Sequence, residues 1–102
     1  MSALHINSES FQEEVLNSSV PVLVDFFATW CGPCQLLGPV LDEIAGEHTE
    51  FKVCKVDVDE AKDLARKYRV MSVPTLLVVK NGEVVKRASG GKTKDEVLEM
   101  MA

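Results

Sequence analysis

Apolar residues recur along the chain with two alternating periods. Leu4 to Ile6 is a short extended run, and Ser8 and Ser10 follow as candidate helix caps. Ser10 with Glu13 three residues on has the spacing of a capping box, in which each side chain bonds the other's backbone N–H. Phe11 and Val15 then share one helical face. Val20 to Phe27 carries β-branched and aromatic residues on both faces, as a central strand covered on both sides does. Leu37, Val40, Leu41, Ile44 and Ala45 recur at three- and four-residue spacing and predict a helix from about Cys34 to Glu47. Pro39 lies inside it and is expected to kink it, because proline lacks a backbone donor and clashes with the preceding turn. Phe51 to Val58 alternates like a strand, and Ala61, Leu64, Ala65 and Tyr68 form a short helical stripe.

Thr75 to Lys80 and Glu83 to Ala88 read as strands joined by Asn81-Gly82, a pair that tolerates positive φ and so predicts a tight antiparallel hairpin. Ser89-Gly90-Gly91 ends the second strand, Thr93 with Glu96 has capping-box spacing, and Val97, Leu98 and Met101 supply a terminal amphipathic helix. Strands separated by helices need crossovers and therefore parallel pairing, while the hairpin adds an antiparallel edge. The expected architecture is α/β: a central mixed sheet of about five strands with four helices on both faces, in the order β-α-β-α-β-α-β-β-α. No repeat, linker or low-complexity segment interrupts it.

Composition supports a compact fold. Of 102 residues, 46% are hydrophobic and 26% charged, ordinary for a globular domain and too apolar for a disordered one. That length is near the modal domain size, so one domain spanning residues 1 to 102 is expected. The net charge of −5, with no cluster of Lys and Arg, argues against nucleic acid as a partner. The longest apolar runs, Val20 to Phe27 and Val73 to Val79, fall far short of the roughly 20 residues that cross a bilayer. The first residues show no basic region followed by an apolar core, so a cytoplasmic protein with no membrane association is expected.

Three cysteines are an odd count, which suits a reducing compartment better than a disulfide-stapled scaffold. Cys31 and Cys34 form a Cys-x-x-Cys unit directly after a buried strand and at the start of a helix. At that spacing the two sulfurs can meet as a disulfide across one turn, so the pair can switch between dithiol and disulfide without moving the fold. A helix N-terminus presents unpaired N–H groups and about half a positive charge, which favours a thiolate there. Cys31, nearer the helix tip, is the expected attacker; Cys34, one turn in, is expected to be less exposed and to act second. The alternative of a zinc half-site needs further ligands, and His5, His48 and Cys54 are not paired at ligand spacing, so no metal is expected. A purely structural role is also weak, because so small a loop restrains the unfolded chain little.

Trp30-Cys31-Gly32-Pro33-Cys34 resembles the active-site signature of the thioredoxin family, and the resemblance extends over essentially the whole chain. Val24-Asp25-Phe26 resembles the strand that sets the family's buried aspartate behind the second cysteine, and Pro39 its helix-kink proline. Lys55, within Lys55-Val56-Asp57-Val58-Asp59, resembles the lysine that faces that aspartate. Ser72-Val73-Pro74-Thr75 resembles the loop whose proline is cis beside the disulfide, Lys80-Asn81-Gly82-Glu83 the family hairpin, and Gly90 the glycine lining the substrate groove. Gln35, Phe27 and Ser89 depart from the commonest residues at their positions, which bears on partner choice and potential rather than on the redox pair.

The resemblance implies a thioredoxin fold and a protein-disulfide reductase working through a Cys31–Cys34 disulfide. Cys31 would be the nucleophile, Cys34 the resolving thiol, Asp25 the proton-transfer group and Lys55 its electrostatic partner. Trp30, Gly32, Pro33, Val73, cis Pro74 and Gly90 would bind the partner. It also implies no bound cofactor, recycling by an NADPH-dependent flavoprotein thioredoxin reductase, disulfide-containing substrate proteins and a monomer. Taken alone, Asp25 could be a surface strand-end carboxylate, though its apolar neighbours point to burial with a raised pKa. Lys55 could be a solvated strand lysine, Pro74 a trans turn proline and Trp30 a core aromatic; Trp30 beside a reactive cysteine better suits a contact surface that shields the site. Cys54, mid-strand, reads as a small core residue, and His5 and His48 as surface residues without a role. Two rivals stand beside this reading: a secretory oxidase or isomerase, whose relatives usually carry histidine between the cysteines, and a binding module without turnover, of a kind that typically loses one cysteine.

Overall fold

The protein is described from a computed structural model covering residues 2–102. Its elements follow the order β1 (Leu4–Ile6), a single π-helical turn (Gln12–Leu16), β2 (Val22–Phe27), α1 (Gly32–Glu47), β3 (Lys52–Asp57), α2 (Lys62–Lys67), β4 (Thr75–Lys80), β5 (Glu83–Ser89) and α3 (Lys94–Met101). The strands make one five-stranded sheet in the order β1-β3-β2-β4-β5.

Alternation along the strands sorts the side chains into two cores. Val22, Val24 and Phe26 of β2, with Cys54, Val56, Leu77 and Val79, meet Phe11, Val15, Ala61 and Leu64 on the face covered by the π-turn and α2. Leu23, Val53, Leu76 and Val78 meet Leu37, Leu41 and Ile44 of α1 and Val97 of α3 on the other. At Asn81 and Gly82 the backbone takes φ of 51° and 79°, the positive values a two-residue hairpin demands, and a bulge falls between Val78 and Val79. The capping box of α3 forms: Thr93 Oγ1 accepts from the Glu96 N–H at 3.2 Å, and Glu96 Oε1 accepts from the Thr93 N–H at 2.9 Å. Lys94 then ties α3 to α1 through Glu43 at 2.6 Å and Glu47 at 2.7 Å.

Three local expectations are corrected. The Ser10–Glu13 capping box does not form: Asn7 Oδ1 takes the N–H groups of Glu9 and Ser10 at 3.0 and 2.9 Å, so the turn opens at Asn7 and Ser10 lies inside it. The turn is also wider than an α-helix, with the Asn17 N–H reaching the Gln12 carbonyl, which breaks the register a capping box needs. Next, α1 begins at Gly32 rather than Cys34, because Pro33 fits the first helical turn, where its missing N–H is no loss. The helical assignment runs on through Pro39, which has no N–H to give the Gln35 carbonyl.

The third correction concerns direction. β1, β3 and β2 are parallel, but β4 is antiparallel to β2, although a helix separates it from β3. The six residues of α2 rise only about 9 Å, against about 20 Å for a six-residue strand. The chain therefore stays at the end of the sheet where β3 finished, and β4 must run back from there, with Thr75 paired to Phe26 near the end of β2.

Candidate active site

Cys31 is the N-cap of α1, and its Sγ accepts the Cys34 N–H at 3.2 Å. One of the otherwise unpaired donors of the first helical turn thus points at one sulfur of the pair and will favour negative charge there once the bond is reduced. Cys31 and Cys34 are joined as a disulfide with a Cα separation of 5.3 Å. Ala28, at the end of β2, packs beneath them, and Phe27, Val58 and Val73 close around the cluster. The expectation that Cys31 is the more exposed is not met: each cysteine is 5% exposed. The loop before β4 accounts for this, because it brings the Val73 carbonyl to 3.7 Å from Cys31 Sγ. What distinguishes the two residues is hydrogen bonding at Cys31 Sγ, not their overall burial.

Asp25 lies in β2 in register with Lys55 of β3 and Leu76 of β4. Strand alternation turns it toward the face covered by α1, where Leu23 and Leu76 also pack. It is fully buried, and neither carboxylate oxygen has a hydrogen-bond partner among the described residues. Loss of hydration disfavours its ionised form and outweighs the attraction of Lys55, so its pKa rises to about 7. Lys55 itself is half-buried, with its ammonium 4.9 Å above the centre of the Phe27 ring. Gly38 of α1 passes close by: a Cβ there would stand 3.3 Å from Lys55 Nζ. A cavity of about 390 Å³ lies behind the disulfide, walled by Phe27, Cys34, Gly38, Asp42 and Lys55 among others.

The rim is assembled from distant segments. Trp30 is 71% exposed, and its indole N–H donates to Asp59 Oδ2 at 2.9 Å. Gly32 and Pro33 are exposed on the first turn of α1. The Val73–Pro74 peptide is cis, the Pro74 carbonyl accepts the Gly90 N–H at 2.9 Å, and Gly90 takes a φ of 88°. Every residue expected at the site is thereby brought to one end of the sheet, around the C-terminal end of β2. Val58, Asp59 and Gly38 also belong there and were not anticipated. The stretch Lys55 to Asp59 gave a partial signal, since its alternation puts Val56 in the α2-side core and Val58 at the disulfide; nothing local marks Gly38. Cys54 is buried and free, its thiol pushed up to about 11 by burial. Among the described residues, no group of three or more His, Cys, Asp or Glu is placed to hold a metal ion, and no helix is long and apolar enough to cross a membrane.

A redox-active cysteine pair capping a helix after a central strand, backed by a buried carboxyl, defines a thiol–disulfide oxidoreductase. Known proteins specify the class. The Thioredoxin family model matches residues 2–102. A protein named Thioredoxin from Mycobacterium tuberculosis is 47% identical over 100 residues, which cover 97% of this chain and 86% of that protein. One of the same name from Haemophilus influenzae is 44% identical over 95 residues, covering 92% and 89%. A Bifunctional thioredoxin reductase/thioredoxin from Mycobacterium leprae is 46% identical over 96 residues, covering 93% of this chain and 21% of that protein. The chain belongs to the thioredoxin family. Its activity is protein-disulfide reduction, carried by its own cysteine pair without a bound cofactor.

Proposed function

We propose that the protein is a monomeric cytoplasmic dithiol carrier in which Cys31 attacks partner disulfides and Cys34 resolves them. The observation that carries this assignment of roles is the Cys34 N–H bonded to Cys31 Sγ at the start of α1. A partner disulfide docks against Trp30, Gly32, Pro33, Gly90 and the Val73–Pro74 loop, whose Val73 N–H has no partner among the described residues. The Cys31 thiolate attacks one partner sulfur, forming a mixed disulfide and expelling the other sulfur as a thiolate, which takes a proton from water. Cys34 then gives its proton to the Asp25 carboxylate and attacks Cys31 Sγ. The Cys31–partner bond breaks, the partner leaves with both sulfurs reduced, and Cys31–Cys34 is left oxidised.

A pKa of about 7 suits Asp25 to this step, since it can both accept and release a proton near neutral pH. Lys55 tunes it by favouring the ionised form. Two electrons then return to the pair from thioredoxin reductase, a flavoprotein drawing on NADPH; the fusion of both activities in the Mycobacterium leprae relative supports that pairing. The free buried Cys54 and the net charge of −5 suit a single chain in a reducing compartment that does not bind nucleic acid.

The test is trapping. Cys34→Ser should accumulate mixed disulfides with partner proteins that dissolve on addition of reductant, and mass spectrometry should place the linkage at Cys31. Cys31→Ser should trap nothing and reduce nothing. Linkage through Cys54, or turnover by Cys31→Ser, overturns the assignment. Equilibration with glutathione separates the secretory oxidase, because a reductase stays oxidised at a poise where an oxidase is reduced.

A further inference from the structure

Although the chain is acidic overall, Lys62, Arg66 and Arg69 fall within eight residues of one another, and the fold sets all three at one place beside the redox site. Lys62 and Arg66, one turn apart on α2, and Arg69 just beyond it line a cavity of about 300 Å³ whose remaining walls are apolar, Val58 and Met71 among them. No carboxylate lines it. The neighbouring acids are Asp57, Asp59, Glu60 and Asp63. Asp57 accepts the Asp59 N–H, Asp59 the Trp30 indole N–H and Asp63 the Ser8 hydroxyl; of these acids Asp63 also feels the charge of Arg66, which helps to hold its carboxyl below the usual range. Among the described residues none of the three cations forms a salt bridge. Arg69 holds a left-handed φ of 54°, and Arg87 braces this corner from β5 by donating to the Tyr68 and Arg69 carbonyls.

The cavity is continuous with the redox site through two side chains. Val58 forms part of its wall and also packs against the disulfide cluster. Met71 is 92% exposed and stands two residues before Val73, whose carbonyl faces Cys31. A polypeptide seated on Cys31 and the Val73 loop that continues across Met71 meets the three cations next.

We propose that this cavity is a docking subsite for an Asp or Glu side chain lying a few residues from the reactive cysteine of the disulfide partner. Met71 and Val58 would take the intervening apolar part of that segment, and Lys62, Arg66 and Arg69 its carboxylate. The inference rests on partners docking at the Cys31 face.

The test uses the reduced protein and matched disulfide-bridged peptides that differ only in glutamate or glutamine, placed a few residues to either side of the reactive cysteine. The second-order rate of peptide reduction is measured at low and high ionic strength. For at least one placement the glutamate peptide should react roughly threefold to fivefold faster at low salt, the scale of a partly exposed ion pair, and the ratio should shrink with salt. In the double variant Arg66→Gln/Arg69→Gln the ratio should fall close to one. In Lys86→Gln, which removes a charge from the exposed strand β5, it should stay at the wild-type value. A wild-type ratio of one at both placements overturns the subsite, and so does a ratio that survives in the double variant. Reduction of the glutamine peptide tests the underlying docking by itself: if neither peptide is reduced, that reading fails and takes this one with it.

Discussion

At Asp25 two opposed forces act on one carboxyl, and the larger decides its proton. Burial raises the pKa from 3.8 to about 7, against the pull of Lys55. Between those values the unfolded chain has lost the proton that the folded chain keeps. Stability of the oxidised protein should therefore fall as pH rises from about 4 to 7 and level off above, by a total on the order of 4 kcal/mol. Asp25→Asn should flatten that dependence in urea unfolding between pH 4 and 8. The same substitution should slow release of partner from the mixed disulfide near neutral pH and leave its formation unaffected; unchanged release across the pH range would remove Asp25 from the mechanism. Lys55→Gln should move the inflection of the release step to higher pH, because the ion that favours the carboxylate is gone. Cys54 offers a contrasting case. Sealed in the core with its thiol raised to about 11, it should resist alkylation in the native protein at pH 8 and react only in denaturant, as timed by mass spectrometry.

Elements are held by a few terminal groups, and these can be weighed. Asn7→Ala removes the acceptor for two N–H groups at the start of the π-turn and should cost about 1 kcal/mol, more than Ser10→Ala. Gly82→Ala meets two obstacles at once, a φ of 79° and a Cβ position 3.2 Å from the Leu16 carbonyl oxygen, and should lower hairpin and global stability by about 1–2 kcal/mol. Chemical denaturation of both variants measures these costs. Much at this scale was readable from sequence: every strand, both longer helices, the Asn-Gly hairpin and the Thr93 capping box follow from periods and spacings within a few residues. What was missed depends on geometry beyond that window. Asn7 and Ser10 are both competent caps, and the choice between them follows from a wider helical turn that local spacing does not encode. The direction of β4 turns on how far six residues of α2 can carry the chain, a comparison of lengths in space.

For the whole molecule, the site is legible in proportion to how local it is. Trp30 to Cys34 announces itself, while Val58 and Asp59 join the site only because β3 ends beside β2, and Lys62, Arg66 and Arg69, close in sequence, come to lie beside Val58 and Met71 only in the fold. The two cores share the strands of one sheet, so the chain should unfold as one unit, with far-ultraviolet circular dichroism and Trp30 fluorescence giving the same midpoint in urea. Within that unit the persistence of backbone hydrogen bonds is graded. β2 is third of five strands, paired on both sides and buried on both faces, whereas β5 is an edge whose residues are almost all exposed. Amide hydrogens of Val22 to Phe27 should exchange with solvent only through global opening, and those of β5 through frequent local fraying. Cys31 follows the end of β2 by four residues, so the dithiol is moored to the segment that opens last. Fluctuations that loosen the rim of the sheet therefore leave the sulfur pair seated, and the chain can admit varied partners at its margin without disturbing the geometry that sets its redox chemistry.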